Sequence, residues 1–514
     1  MRTTSRNARG TARWSATLVL AAACVLAPAA VGQSLNDLLA IGREAFEDST
    51  LSSFYERRGY APAWIAAGRP TAAADSAIAV MGAAVEHGLD PAAFGYSPLA
   101  DRLAAVDALA PADAARFEVA LTEAMLRYAR ALLRGKVDPR MIHPGWRALP
   151  RSRDLAAELA LAVEQRSIRS LVPRIAPRTP GYLRLQEALV RLRRLNDRGP
   201  WPVLPATVAF EFGAMDPSVA VLRDQLTAFG DLPEATLARG PEALFDSTLR
   251  HAVIQFQRRH GLVPDGVVGR ATRAALNVPP TARMHQVELN LERLRWMPAL
   301  WTGRFVVVNI AGCRLAVVED GQVVLEMQAI VGATDTRTPV FNATITGLVL
   351  APTWYVPASI AENEILPATR ADSTYLDRHQ MSVLPSGVIR QEPGPSNPLG
   401  RIKFSVANPY DIGLHDTPDR RRFASVSCTF SHGCVRLGDP LALAEYVLGD
   451  ENLWSRERIE TTIARWIETP VTIVDPIPIF VIYLTAWVDD AGLLHLREDR
   501  YGHDATLGRL LDRL

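Results

Sequence analysis

The most informative stretch of the chain is Ser431-His432-Gly433-Cys434-Val435-Arg436-Leu437. A second histidine lies upstream in the run Gly413-Leu414-His415-Asp416-Thr417-Pro418. A free cysteine thiol has a pKa of about 8.5, and nearby imidazoles or cations lower that value while presenting a base for the proton. The two runs together therefore predict a thiolate nucleophile at Cys434.

Two structural alternatives also fit this cysteine. Cysteine is often buried as a small apolar residue, so Cys434 alone is also consistent with a role in packing. A zinc ion is the other alternative, since four side chains of suitable type lie near one another in sequence: His415, Cys428, His432 and Cys434. Their spacing fits the usual paired C-x2-4-C and H-x3-5-H patterns poorly. We therefore predict no metal site and no cofactor.

The run 431–437, preceded by His415 in a Leu-His-Asp-Thr-Pro context, resembles the active site of the L,D-transpeptidase catalytic family, the YkuD-type domain. The resemblance extends over residues 304–475 and includes further runs: Val331-Gly332, Thr338–Phe341, Pro352–Pro357, Asn397–Phe404 and Asn408–Tyr410. It implies a mostly β catalytic domain with a lid insertion, about residues 359–390, over the substrate cleft. Such a lid excludes water, which competes with the acceptor amine.

The resemblance also implies roles for individual residues. Cys434 corresponds to the nucleophile and His415 to the general base. His432 and Gly433 correspond to residues that shape the site, with backbone N–H groups around Cys434 as donors to the oxyanion. The group that orients His415 is left open between a backbone carbonyl and the side chain of Asp416, because many family members have glycine there.

Three further residues are candidates for contact with substrate. Arg436 is expected to position a substrate carboxylate or to hold the loop, and Ser431 belongs to the same run. Trp354 precedes the lid and is a candidate for lining the donor site, although packing in the core is an equal alternative.

The implied reaction is acyl transfer through a thioester. Cys434 would attack the peptide bond after the third residue of a peptidoglycan stem tetrapeptide and release D-Ala. An amine of a diamino acid on a neighbouring stem would then form a 3→3 cross-link. The implied partners are these donor and acceptor stem peptides, and carbapenems are implied as acylating inhibitors. The alternatives are an L,D-carboxypeptidase, attachment of a protein to peptidoglycan, and a non-catalytic wall-binding scaffold, which the intact Cys434 and His415 pair argues against.

A second signature lies upstream of the catalytic motif. The segment 249–262 has apolar residues at helical spacing and ends at Gly261, and Pro264-Asp265-Gly266 predicts a turn before a short helix over 268–277. The order Phe-Gln-x-x-His-Gly-Leu, Pro-Asp-Gly and Gly-x-x-Thr-x-x-Ala-Leu is similar to the small three-helix peptidoglycan-binding domain. The predicted domain covers residues 236–280, and binding to glycan and docking to other domains both stay open.

The pattern on either side of this domain differs. Residues 35–235 carry apolar residues at helical spacing, and the stretches 54–64 and 86–91 resemble the scaffold domain that precedes the catalytic domain in large periplasmic L,D-transpeptidases. From Phe305 onward the chain has alternating and continuous β-type runs. Residues 476–514 resemble the closing segment of the same subfamily. The predicted fold class is multidomain α+β, with a helical N-terminal scaffold.

The N-terminus predicts export. Four arginines among the first 13 residues form a basic region, residues 15–28 are apolar, and Ala30-Val31-Gly32 offers small residues for cleavage. Residues 1–32 are therefore predicted to be a signal peptide, and the expected localisation is the periplasm. The apolar run is shorter than the roughly 20 residues of a membrane span, although an uncleaved anchor in the inner membrane stays open. A lipid on Cys24 is disfavoured by Ala21.

Charge and cysteine content narrow the function further. The 56 Lys and Arg residues and the 55 Asp and Glu residues nearly balance, so the chain lacks the basic field of a nucleic-acid-binding protein, and nucleic acid is not an expected partner.

Beyond the signal peptide the cysteines are Cys313, Cys428 and Cys434, and an odd count argues for a free thiol. Cys313 lies in an apolar run and is predicted to be in a strand. A regulatory disulfide between Cys428 and Cys434 is conceivable but would remove the nucleophile, and no disulfide framework is predicted.

Overall fold

A computed structural model describes residues 49–233, 243–298, 303–449 and 453–513. The predicted signal peptide over residues 1–32, with Cys24, lies outside these ranges. Among the described residues, no helix combines the length and the apolar character that crossing a membrane requires.

Helices build the N-terminal part of the described chain. They are α1 (Ser49–Arg57), α2 (Ala72–Gly82), α3 (Tyr96–Ala104), α4 (Pro111–Arg134), α5 (Leu155–Glu164), α6 (Leu171–Ile175) and α7 (Pro180–Asn196), with a small hairpin of β1 (Ile65–Ala66) and β2 (Arg69–Pro70). Local sequence sets the starts of these helices: Thr71 accepts a hydrogen bond from the backbone N–H of Ala74, and Pro180 opens α7 behind the cap residue Thr179.

Helix α4 runs through the core of this region. Its Glu118 is buried, and the carboxylate accepts hydrogen bonds from the backbone N–H groups of Ala63 (2.5 Å) and Trp64 (2.9 Å). Burial raises the pKa of Glu118 to about 7. This carboxylate therefore fixes the chain between α1 and β1 against the central helix.

Three helices follow: α8 (Val219–Ala228), α9 (Ser247–His260) and α10 (Arg270–Leu276). The last two lie where the sequence predicted helices, whereas α8 lies before residue 236, the predicted start of the domain. The three helices share a core that includes Phe245, Leu249 and Phe256. Helix α9 ends at Gly261, whose φ of 65° lies in the left-handed region that favours glycine.

Helix α11 (Pro280–Arg295) links this domain to the rest of the chain. Its buried Glu292 accepts hydrogen bonds from the backbone N–H groups of Lys136 (2.6 Å) and Val137 (2.8 Å), directly after α4. Arg295 pairs with the same carboxylate at 2.8 Å, and Arg293 pairs with Asp504 near the C-terminus at 2.5 Å. Through these contacts α11 ties the helical scaffold to the closing segment.

The remaining strands form a nine-stranded sheet in the order β12-β5-β13-β11-β10-β6-β14-β3-β4. The strands are β3 (Arg304–Asn309), β4 (Arg314–Glu319), β5 (Gln322–Gly332), β6 (Phe341–Leu350), β10 (Ile402–Val406), β11 (Leu414–His415), β12 (Thr429–Ser431), β13 (Val435–Leu437) and β14 (Thr469–Ile482). An added pairing of β5 with β4 closes the sheet on itself. The mostly β fold expected for this part of the chain is confirmed.

The segment predicted to form a lid leaves the sheet after β6 and returns before β10. It contains β7 (Trp354–Tyr355), α12 (Ala358–Ile360), a π-helical turn (Ala361–Ile365), α13 (Leu366–Ala371), α14 (Tyr375–Arg378), β8 (Met381–Val383) and β9 (Ile389–Gln391). The three strands pair in the order β7-β9-β8, over a small core of Val356, Ile365, Met381 and Ile389. At its base, the Asn397 side chain donates to the carbonyls of Pro352 (3.0 Å) and Glu392 (3.2 Å). The insertion is therefore a small folded unit, and Asn397 links the two chain segments that connect it to the sheet.

The chain closes with helices α15 (Pro440–Leu448) and α16 (Arg456–Ala464), a hairpin of β15 (Ala486–Val488) and β16 (Leu494–Leu496), and α17 (His503–Leu511). Helix α15 begins behind Asp439, whose side chain accepts from the backbone N–H of Ala442. The closing segment therefore consists of two short paired strands, the turn between them and a terminal helix.

The structure corrects the predictions for two cysteines. Cys313 lies in the turn between β3 and β4, with φ of 56°, and not in a strand. It forms a disulfide with Cys428, just before β12, while Cys434 is free. The alternative of a Cys428–Cys434 disulfide is therefore excluded, because Cys428 is bonded to Cys313. The zinc alternative also loses Cys428, because a disulfide-bonded sulfur is not a thiolate ligand.

Removing this disulfide is expected to destabilise the catalytic domain. The bond spans a sequence separation of 115 residues and holds the segment that leads into the Cys434 turn. A loop of this size predicts that the double variant Cys313→Ser, Cys428→Ser loses about 2–4 kcal/mol of unfolding free energy. Urea unfolding of the full chain measures the loss, with reduced wild-type protein as the matched control. An unchanged unfolding midpoint in both samples would contradict the stabilising role.

Acid is expected to destabilise the contact between the scaffold and the closing segment. His143 and His503 lie there with ring centroids 4.8 Å apart, and burial lowers their pKa values to about 3 and about 4. Unfolded histidine has a pKa of about 6.5, so the unfolded state binds more protons and the free energy of unfolding falls as pH drops from about 6.5 to 4. Urea unfolding at pH 7.5 and 5 measures this slope. His143→Gln should flatten it and the exposed-residue control His251→Gln should not; equal slopes in all three proteins would contradict the prediction.

Candidate active site

Strands β11 and β13 bring the two predicted catalytic residues to one edge of the site. The strands are parallel, with Leu414 opposite Val435 and His415 opposite Arg436. The backbone N–H of Val435 donates to the carbonyl of Gly413 at 2.9 Å, and the N–H of Gly413 points at Cys434 Sγ at 3.4 Å. The partly exposed thiol therefore lies beside the strand that carries His415.

The orientation of His415 answers the question that the sequence left open. The ring is buried, and its Nδ1 lies 2.5 Å from the backbone carbonyl oxygen of Asp416. That carbonyl accepts only, so Nδ1 carries the proton and Nε2 is free to accept one. The Asp416 carboxylate is engaged elsewhere, by Arg401 and Arg420. The orienting group is therefore the backbone carbonyl.

The electrostatics keep this imidazole neutral. Burial lowers the pKa of His415 to about 4, and the hydrogen bond to Asp416 opposes the shift only in part. The positive charge of Arg436 lowers the pKa further. At neutral pH the ring is therefore an unprotonated base, which proton abstraction from a thiol requires.

The turn before Cys434 is held by hydrogen bonds from both ends. The hydroxyl of Ser431 donates to the carbonyl of Cys434 at 2.5 Å and accepts from the N–H of Gly433 at 3.2 Å. Gly433 has φ of 112°, and a Cβ there would lie 2.9 Å from Ile412 Cδ1. Glycine is therefore needed at this position. In this structure the Ser431 hydroxyl serves the turn, and its contact with substrate stays a prediction.

Sequence reasoning missed two residues that support this turn. Thr338 donates to the carbonyl of Gly433 at 2.7 Å and accepts from the N–H of Gly332 at 2.8 Å. The Tyr501 hydroxyl donates to the carbonyl of Gly332 at 2.5 Å and accepts from the N–H of Thr338. Both lie in runs that carried the family resemblance, but neither has a chemistry that marks it as part of a site.

Arg436 lies on β13, two residues after Cys434. Burial lowers the pKa of Arg436, with a further contribution from the nearby Arg422 charge, while Asp419 and Cys434 partly offset the shift. Its Nε is buried and has no hydrogen-bond partner among the described residues. A buried donor of this kind is normally satisfied, so it is suited to an anionic ligand.

The other two predicted residues lie at the lid. His432 is exposed, and its Nε2 lies 2.8 Å from Glu364 Oε1 in the π-helical turn of the lid. Trp354 pairs with Gln391 on β9 and packs against the lid core. The structure therefore places His432 beside Cys434 and under the lid, whereas Trp354 supports the lid from its base.

Three family models match the chain in the order of its domains. The model described as "Scaffold domain" matches residues 49–189, "Putative peptidoglycan binding domain" matches residues 215–276, and "L,D-transpeptidase catalytic domain", the YkuD model, matches residues 303–473. The last of these ranges contains both His415 and Cys434.

The chain is also similar to a curated protein of Haemophilus influenzae named "Putative L,D-transpeptidase", at 32% identity over 242 residues. The alignment covers 43% of this chain and 48% of that relative, so the chain spans about half the length of the relative it matches.

Two solved structures are also similar. An L,D-transpeptidase from Mycobacterium smegmatis has 16% identity and a TM-score of 0.21, over 36% of this chain and 60% of that one. An L,D-transpeptidase from Stackebrandtia nassauensis has 14% identity and a TM-score of 0.22, over 55% and 97%.

The family models and the curated relative therefore agree with the resemblance found in the sequence. Residues 303–473 match the L,D-transpeptidase catalytic domain, and the matches to a scaffold domain and a putative peptidoglycan-binding domain precede it in the order that the sequence predicted.

Proposed function

We propose that this chain is a cysteine L,D-transpeptidase that forms 3→3 cross-links in peptidoglycan. The observation that carries the proposal is the position of Cys434 beside the strand bearing His415, a neutral imidazole whose Nδ1 proton is held by a backbone carbonyl. A thiol next to an oriented, unprotonated base is the arrangement that nucleophilic acyl transfer needs.

In the first half of the reaction, His415 Nε2 takes the proton of the Cys434 thiol. The sulfur attacks the carbonyl carbon of the third residue of a stem tetrapeptide, forming the C–S bond. The C–N bond to D-Ala then breaks, and the His415 proton passes to the departing amine. Backbone N–H groups at the Cys434 turn stabilise the oxyanion, and each such donor is worth about 10²- to 10³-fold in other acyl-transfer enzymes.

In the second half, the amine of a diamino acid on a neighbouring stem attacks the thioester. The new amide C–N bond forms, the C–S bond breaks, and the thiol regains its proton. The unpartnered Nε of Arg436 supports a role in binding a carboxylate of the donor peptide. The lid reduces access of water, which would otherwise hydrolyse the thioester.

We extend the proposal to the location and to the other domains. Residues 1–32 direct the chain to the periplasm, where peptidoglycan is present. The peptidoglycan-binding domain holds the enzyme at the wall, and the scaffold domain positions it relative to the catalytic domain.

Mass spectrometry of muropeptides tests this function. The full chain is incubated with sacculi that contain tetrapeptide stems, beside a sample without enzyme. Cross-linked tetrapeptide–tripeptide dimers are the expected product. Tripeptides without dimers would replace the transpeptidase with the carboxypeptidase, and unchanged stems in the presence of bound protein would favour the wall-binding scaffold.

A further inference from the structure

The lid makes a charged contact with the catalytic turn that the proposed reaction has not used. Glu364 lies in the π-helical turn Ala361–Ile365, and its Oε1 is 2.8 Å from Nε2 of His432, two residues before Cys434. Turns of this kind are rare inside helices and are frequent at functional sites. The contact joins two segments that are far apart in sequence.

The packing of the lid fixes where Glu364 points. The next residue, Ile365, is buried in the lid core and anchors the turn there. The side chains of Glu364 and His432 are 50% and 49% exposed. Their pair therefore borders open space, where a ligand can reach it.

Charged groups of both signs lie near Cys434. The unpartnered Nε of Arg436 suits an anion, and the Arg422 charge close to it is paired with Asp419 at 2.8 Å. Glu364 supplies a carboxylate on the lid side. In the proposed reaction, the acceptor brings a side-chain amine with an unperturbed pKa of about 10.4, which is an ammonium at neutral pH. The carboxylate of the lid is complementary to that cation.

We propose that Glu364 is the residue that recognises the acceptor, binding the ammonium of the incoming diamino acid beside His432. This inference rests on the proposed transpeptidase function and names the acceptor subsite of the same site. A water molecule carries no such charge, so the contact favours the amine over hydrolysis. Recognition of an ammonium by a carboxylate is a charge-assisted interaction, stronger than a neutral hydrogen bond.

The contact also accounts for the protons of the second half-reaction. An ammonium cannot attack, so one proton leaves it through the Glu364 and His432 pair to solvent. The neutral amine then forms the amide bond as the C–S bond breaks. The second proton of the nitrogen passes through His415 to the sulfur, which restores the thiol. Atoms and charges balance without a co-reactant.

The test compares two glutamates of the same lid. Glu364→Gln removes the charge at His432, and Glu362→Gln is the matched control, since Glu362 is exposed two residues earlier in the same turn. The full chain is supplied with a tetrapeptide donor and a stem peptide that has a free side-chain amine. The ratio of cross-linked product to hydrolysed tripeptide is measured at pH 7.5, together with the rate of D-Ala release.

We expect Glu364→Gln to lower the ratio of cross-linked product to hydrolysed tripeptide, by a factor about ten times larger than the factor by which D-Ala release falls. Glu362→Gln should leave both quantities near wild type. Hydroxylamine, a nucleophile that is uncharged at this pH, should capture the acyl-enzyme equally well in wild type and Glu364→Gln. Equal loss of capture for charged and uncharged nucleophiles, or an unchanged ratio, would overturn the assignment.

This experiment distinguishes a failure of the proposed transpeptidase function from a failure of the acceptor subsite alone. If the wild-type chain releases D-Ala but forms no cross-linked product, the transpeptidase function fails and the acceptor subsite fails with it. If the wild-type chain forms cross-links and Glu364→Gln forms them in the same ratio, only the acceptor subsite is refuted. Melting temperatures of the variants confirm that each protein is folded.

Discussion

Cys434→Ala is expected to abolish both D-Ala release and cross-link formation, with a fall of at least about 10⁴-fold, since removal of a nucleophile costs about this much or more in comparable acyl-transfer enzymes. No other described cysteine can take over. Cys313 and Cys428 are joined in a disulfide, and Cys434 is the free thiol. The rates of D-Ala release and of dimer formation with a tetrapeptide donor measure the effect.

The fold of this variant should be intact. The thiol is partly exposed and its hydrogen bonds are weak: it accepts from the N–H of Gly413 at 3.4 Å and donates to the carbonyl of Asp411 at 4.0 Å. Its melting temperature should therefore stay within a few degrees of wild type, as expected for a surface change away from the core. Residual D-Ala release near the wild-type rate in a folded Cys434→Ala protein would contradict the thioester mechanism.

His415→Gln is expected to lower the rate of Cys434 acylation by about 10³-fold, in the range that a positioned general base contributes. Glutamine has a side chain that can still donate a hydrogen bond to the Asp416 carbonyl but cannot take a proton from the thiol. Acylation by a carbapenem, followed by intact-protein mass spectrometry, measures this step apart from the acceptor. The control is His251→Gln, because His251 is exposed in the peptidoglycan-binding domain.

The pH dependence of this effect follows from the low pKa of His415. Burial holds that pKa at about 4, below the usual value, so the ring stays unprotonated from pH 8 down to about 5. The ratio of wild-type to His415→Gln acylation rates should therefore be the same at pH 8 and pH 6. A ratio that falls about fourfold between these two values would show that the base titrates near the ordinary histidine pKa of about 6.5, which would contradict the structure.

The sequence predicted the parts of the site that a contiguous motif encodes. Cys434, Gly433 and Ser431 lie in one run, and the parallel register of β11 and β13 brings His415 beside them. The fold class was predictable for the same reason, since helical and strand periodicities separate cleanly near Phe305.

Contacts between distant segments were not predictable in this way. The pairing of Cys313 with Cys428 depends on the turn between β3 and β4, and an odd cysteine count does not specify connectivity. The choice between the carbonyl and the side chain of Asp416 depends on Arg401 and Arg420, which draw the carboxylate away from the ring. Glu364 meets His432 only because the lid folds back over the turn.

The central claim is that Cys434 carries the acyl group, and peptide mass spectrometry after reaction of the full chain tests it most directly. The protein is mixed with a tetrapeptide donor without acceptor, quenched with acid and digested. We predict an added mass equal to the donor minus D-Ala, confined to the peptide that contains Cys434 and absent from Cys434→Ala. An adduct on another residue, or D-Ala release by Cys434→Ala at the wild-type rate, would contradict the account.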